Sequence, residues 1–371
     1  MKWLGKKLKD VVEQRYGTQD EFCAKIGVSR QAYGAWVNSD KIPNGKSLMQ
    51  IARELKMSVA AFFEDDACTN PQFMPMHNAQ NSEEKTLAAR ELAEEYRGII
   101  KPEIAPVFQP VCNLPTDDHM RLAMEFRRLS RVSENEPISY GNVFTLANSL
   151  EICIVFREFP EVLKDMYAFH CLINNISVIF VDTNARVTDL VFILLHEICH
   201  AVRRNDACSG EEDDFCDRVA DAAQFPQIYL DEVQHGLNSV QNADEQLTFL
   251  IPKLKKFSLL GLYKSFERRG TPVNWQIGSK DKIKKINAYY QRMIPKMKAV
   301  LTPSDDPTPE KVCKNYQMFS TLFFMCFLLP QLENMTARFI AQIFDLPRGS
   351  DGEEILRVLR KMRGDTYDYC R

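Results

Sequence analysis

Two histidines four residues apart, in a stretch free of Gly and Pro, constrain this chain more than any other feature: Val191-Phe-Ile-Leu-Leu-His-Glu-Ile-Cys-His200. On a helix, positions i and i+4 share a face. His196 and His200 can then reach one tetrahedral Zn²⁺. Glu197, one residue on, is placed as general base beside the metal. The chain holds only six His, so the HExxH spacing carries more information here than in a His-rich protein. The flanking apolar residues predict a buried helix from Thr188 or Asp189 to about Arg204, with Cys199 as packing.

A zinc site of this kind needs a third ligand. Glu211, Glu212 and Asp213 open the next predicted helix, and Asp217 follows Asp213 by one turn. Asp213 is the candidate ligand, with Asp217 placed to orient a histidine from behind the metal. Glu212 is the alternative carboxylate, and Cys208 and Cys216 are alternative thiolates. Tyr167 and His170 precede the metal helix on a predicted strand and read as buried aromatics or oxyanion donors.

The front of the chain has a different texture. Thr18-Gln-Asp-Glu21 is a capping box, Gly27 ends the short helix it opens, and Ser29 caps the next, Arg30 to Val37. This arrangement predicts Ser29, Arg30, Gln31 and Tyr33 on an exposed N-terminal edge able to enter a major groove. Lys41 is a further phosphate contact. Residues 1–56 hold 11 Lys/Arg against 6 Asp/Glu, while the whole chain carries −3. Any nucleic-acid affinity is therefore expected from a local region.

Residues 18–63, TQDEFCAKIGVSRQAYGAWVNSDKIPNGKSLMQIARELKMSVAAFF, resemble the XRE (phage-repressor) helix-turn-helix family. The resemblance implies double-stranded DNA as partner, with Gln19 at a position that commonly meets backbone phosphate. The HEICH helix, the hairpin before it and DDFCDRVADAAQFP after it resemble the ImmA/IrrE metallopeptidases over roughly 130–235. In that family a Glu usually stands where Asp213 stands, and an Asn or Asp where Asp217 stands. The Asp213/Asp217 pair resembles the ExxxD element of gluzincins, with Asp replacing Glu. The family's EFLxP ending here reads AAQFPQIYL. The resemblance implies a Zn²⁺ cofactor and hydrolysis of a peptide bond in a protein substrate, a repressor or antitoxin.

The middle third predicts strands over 151–158, 166–173 and 177–181, with Asn174-Asn175 as a tight hairpin. The expected fold is an α-helical helix-turn-helix domain plus an α+β, zincin-like metallopeptidase domain with a helical C-terminal region. The boundaries are 1–66 for the first, 67–100 for a linker and charged helix, 101–235 for the peptidase and 236–371 for the helical region. Residues 252–270 combine an apolar stripe with a basic face and resemble the helix-turn-helix-like segment of the IrrE branch. The helices at 318–329 and 337–344 read as a packed regulatory or dimerisation region.

Composition bounds the rest. Hydrophobic residues at 45% and charged residues at 26% describe a folded globular chain. The longest apolar run, Met318 to Leu329, spans 12 residues, short of the roughly 20 a membrane crossing needs. The opening MKWLGKKLKDVVEQRYG has no continuous apolar core, so no secretory signal and no membrane partner are expected. Eleven cysteines without a CxxC pair predict free thiols and a cytoplasmic location. Two other classes compete with the enzyme: a transcription factor whose zinc domain is structural or sensory, and a toxin–antitoxin partner acting by binding alone.

Overall fold

Local capping chemistry places the first helices: α1 (Gly5–Arg15), α2 (Gln19–Ile26), α3 (Arg30–Asn38) and α4 (Gly45–Glu54). The Glu21 N–H donates to Thr18 Oγ1 at 3.2 Å, and the Ser47 N–H to Asn44 Oδ1 at 2.9 Å. Gly27 ends α2 at φ 66°, a left-handed conformation that glycine adopts without strain. The helices enclose Leu8, Val12, Phe22, Ile26, Trp36 and Ile51. The first helix starts at Gly5. Lys2–Trp3 forms a strand, β1, that pairs antiparallel with Phe63–Glu64, β2, and closes the unit. The computed structural model describes residues 2–3, 5–16, 18–38, 41–55, 62–64, 82–101, 114–203, 210–303, 308–346 and 349–369. Its two units are Met1–Cys68 and Thr69–Arg371. Most of the expected linker, with His77, and also Cys208 lie outside the described residues.

The second unit begins with α5 (Ser82–Tyr96), α6 (His119–Leu129) and α7 (Tyr140–Ser149), the last unexpected from sequence. Strands β3 (Cys153–Arg157), β4 (Ala168–Ile173) and β5 (Ile176–Asp182) follow. Their order is β3-β5-β4, with β3 parallel and β4 antiparallel to β5. Asn174 and Asn175 turn the hairpin at φ 50° and 66°, the left-handed pair a two-residue turn requires. Helices α8 (Val187–Arg203) and α9 (Gly210–Gln224) pack together beside this sheet. Helices plus a small mixed sheet are compatible with the expected α+β class.

Then come α10 (Gln227–Ser239), α11 (Ala243–Leu250), α12 (Leu259–Arg268) and α13 (Lys280–Gln291). They build a core of their own around Phe225, Leu230, Phe257, Leu262 and Ile283. The chain then returns to the sheet with α14 (Met297–Leu301), α15 (Pro309–Phe319), α16 (Ala337–Ile343) and α17 (Gly349–Tyr369). Residues 236–371, expected as one C-terminal region, are thus divided. Leu301, Phe324, Phe327 and Leu359 share the sheet's core with Phe156 and Phe180. Among the described residues no single helix is long and apolar enough to cross a membrane. The apolar residues near 318–329 lie instead in a bent element, Phe319, Phe323 and Phe327 being buried against the sheet.

Candidate metal centre and nucleic-acid interface

Helix α8 is apolar nearly all round, as a helix buried on most sides must be. Leu190, Leu194, Leu195 and Ile198 are fully buried, each contributing about 1.5–3 kcal/mol of burial. That packing fixes the helix and so fixes the histidines. His196 and His200 are each 3% exposed, and their Nε2 atoms face each other at 3.0 Å. Asp213, from the first turn of α9, brings Oδ1 to 3.4 Å from His200 Nε2 and 3.9 Å from His196 Nε2. Among the described residues this buried oxygen has no hydrogen-bond partner.

Two ring nitrogens and an unsatisfied carboxylate oxygen converging on one point ask for a cation. The electrostatics agree. Burial alone would lower the His200 pKa, yet Asp213, Cys216 and Glu197 outweigh it and lift it to about 10. Two imidazoles and a carboxylate are also the donor set a zinc ion takes. The residues present therefore fit Zn²⁺.

Groups behind the two imidazoles hold them in place. Asp217 Oδ1 lies 3.0 Å from His196 Nδ1, which leaves Nε2 for the metal side. Asp217 Oδ2 in turn accepts from Arg268 Nη2 at 2.8 Å, a contact from α12. Cys216 Sγ sits 3.5 Å from His200 Nδ1. Hydrogen bonding with Cys199 and burial push the Cys216 thiol up. It occupies the opposite edge of the His200 ring from the shared point, so it orients the ring instead of joining the other three donors. Neither the Arg268 nor the Cys216 role was legible in the sequence. Asp217 was, through its i+4 relation to Asp213.

Glu212, the alternative ligand, is committed elsewhere. Arg203 grips both its carboxylate oxygens, with Nη2–Oε2 at 2.7 Å. Arg203 also stacks 3.9 Å over the Phe215 ring. The structure therefore brings Asp213, and not Glu212, to the two Nε2 atoms. A second cluster, His200, Glu212 and Cys216, lies on the Nδ1 side and shares its only histidine with the first.

Glu197 is 3% exposed, and its Oε2 accepts the backbone N–H of His170 at 2.9 Å. That bond ties α8 to the edge strand β4. Burial raises the Glu197 pKa, opposed by His196, His200 and the His170 N–H. A carboxyl raised in this way is better matched to taking a proton near neutral pH. His170 is buried on β4, whereas Tyr167, just before the strand, is 43% exposed.

In the first unit, Ser29 Oγ accepts the Ala32 N–H at 3.2 Å and caps α3. Arg30 and Gln31 project into solvent beside it, Arg30 pairing only loosely with Asp20 at 3.3 Å. Gln19 is half-buried, its amide 3.4 Å from Glu13, and Lys41 is exposed. Tyr33 departs from its expected place. It is fully buried, edge-on to Phe22 with ring centroids 5.8 Å apart. Tyr33 and Trp36, three residues apart, form the inward stripe of α3, so Tyr33 belongs to the core and not to the groove-facing edge.

No curated protein and no solved structure shows a match to the chain. Residues 8–62 match the helix-turn-helix family model HTH_3. These residues are an XRE-type helix-turn-helix domain, and through that domain the chain is a transcriptional regulator that binds double-stranded DNA.

Proposed function

We propose that this regulator carries, in its second unit, an ImmA/IrrE-like zinc endopeptidase that cuts a partner regulatory protein such as a repressor or antitoxin. One observation carries the reading. Asp213 Oδ1 and two histidine Nε2 atoms converge, with the Glu197 carboxyl on the same helix turn. Zn²⁺ bound there would supply Lewis acidity toward a peptide carbonyl. His196, His200 and Asp213 would hold it, and Asp217, Arg268 and Cys216 would keep the rings aimed. Glu197 takes a proton from the attacking water and delivers it to the leaving amine. The His170 N–H holds that carboxyl in register with the edge strand.

The test is Glu197→Gln, which keeps size and polarity but removes the base. Zinc content, thermal midpoint and DNA affinity should match wild type, while cleavage of the partner falls by roughly 10²-fold or more. A second reading has its own support. The Glu197 carboxylate is already engaged by a backbone N–H, as a purely structural carboxylate would be. Under that reading the zinc domain is structural or sensory. Glu197→Gln would then leave every regulatory output intact, while His196→Ala would destroy them all.

A further inference from the structure

The second unit carries a basic surface that the metal site does not use. Residues 252–298 contain 13 Lys/Arg against 2 Asp/Glu, within a chain of net charge −3. Much of this charge is spent inside the unit. Lys280 bridges to Glu267 at 2.8 Å, Arg268 and Arg269 reach Asp217 and Asp221, and Lys298 reaches Glu158 at 2.6 Å. Of the rest, Lys255, Lys256 and Lys264 are exposed outside α13, Lys284 pairs with Asp281 at 3.6 Å, and Lys282 and Lys285 lie on α13 with Arg292 as its C-cap.

That helix has two unlike faces. Ile283 is fully buried, and Ile286 and Tyr290 pack against the same core. On the other side Lys282, Lys285, Tyr289 and Arg292 recur at i, i+3, i+7 and i+10, which is one helical stripe. All four are exposed, Tyr289 by 64%. Among the described residues the side chains of Lys282, Lys285 and Arg292 make no ion pair or hydrogen bond. At 1.5 Å per residue the stripe runs about 15 Å, long enough to follow several successive phosphates.

We propose that this outer face of α13 is a second, sequence-independent contact with duplex DNA, separate from the helix-turn-helix domain. The chemistry selects the partner. Lys, Arg and Tyr side chains are donors that position proteins on the phosphate backbone, and a row of one sign without acidic partners matches a polyanion. A row of like charges spaced along the helix axis follows the phosphate backbone, and phosphate contacts add affinity and not sequence choice. Joined by one chain to a domain that already binds DNA, even a weak contact acts at high effective concentration.

The experiment uses the full-length chain and a labelled mixed-sequence duplex lacking the operator, titrated over a range of salt. Lys282→Ala, Lys285→Ala and Arg292→Ala are combined in one variant, and an unchanged thermal midpoint shows that it folds. The slope of log affinity against log salt should become shallower by about 2–3, since each phosphate contact contributes about 0.9. Arg30→Ala with Gln31→Ala should instead lose operator preference and retain that slope. An unchanged slope in the α13 variant overturns the proposal. So does a wild-type chain that binds labelled polyglutamate as tightly as the duplex and loses only polyglutamate binding in the variant. That second result would make the face a site for an acidic protein.

Discussion

The two units place their chemistry in opposite surroundings. The helix-turn-helix presents Arg30 and Gln31 to water from the rim of a small core, with one loose ion pair between them and the rest of the domain. The second unit buries His196, Glu197 and His200 at 3% exposure inside its most apolar helix and wires each to another element. Exposed readers can be exchanged singly, because water satisfies whatever is left behind. Buried polar groups form a set in which removing one partner leaves the others unsatisfied. Substitutions should therefore separate function from stability in the first unit and couple them in the second.

The largest expected effect is on the metal. His200→Ala should take zinc from about one per chain to near zero, measured by metal analysis, because a three-ligand site does not tolerate a lost imidazole. Asp213→Ala should do nearly the same. Zinc retained by Asp213→Ala would break the comparison at its centre, since the buried set would then not include α9.

Next come two changes in α3 that are close in sequence and differ in consequence. Tyr33→Ala should cost about 3–5 kcal/mol in denaturant unfolding, as loss of a fully buried aromatic does. Gln31→Ala, two residues away, should stay within about 0.5 kcal/mol of wild-type stability. It should lose about 1–3 kcal/mol of discrimination between operator and random duplex. Glu212→Ala should also destabilise the second unit, because the partly buried Arg203 loses its carboxylate partner and keeps only the Thr116 carbonyl and the Phe215 ring, yet zinc should stay bound. Loss of zinc from Glu212→Ala would show that the Arg203 pair is part of the metal site.

Arg268→Met probes the reach of the wiring. It leaves His196, His200 and Asp213 in place but removes the Arg268 bond to Asp217 Oδ2, and zinc affinity by chelator competition should fall about 10-fold, the lower end for groups behind a ligand. Arg268→Lys should recover part of it. The smallest effect concerns Asp189, in the first turn of α8, where burial pushes the carboxyl up to about 6 against the pull of Arg186. The folded chain then binds more protons than the unfolded chain between pH 3.8 and about 6, so this group's contribution to stability falls as pH rises through that window. Asp189→Asn should flatten that part of the stability–pH curve, read from denaturation midpoints.

Much of this was legible in local sequence, where a residue's neighbours in the chain are also its neighbours in space. The i+4 spacing of His196 and His200, the Thr18 capping box, the Gly27 stop and the Asn174-Asn175 turn all act over a few residues. Backbone sterics and helix periodicity settle them. Tyr33 marks the limit of that reasoning. Its position at the start of α3 suggested exposure, but whether a helix position faces core or groove depends on what packs against it.

Tertiary structure alone decided the pairings between distant residues. Arg268 meets Asp217 across 51 positions, and Glu197 meets the His170 N–H across 27. Ser320 donates to the Ile154 carbonyl on β3, which draws the far C-terminal helices onto the sheet that precedes α8. No periodicity announces such partners. A buried donor accepts whichever acceptor the packed chain brings within reach, and that choice is made by the shape of the whole core. The sequence alone therefore determined which residues carry the donor groups, and the packing brought Asp213 and not Glu212 to the two imidazoles, turned Tyr33 inward and left one face of α13 exposed and basic.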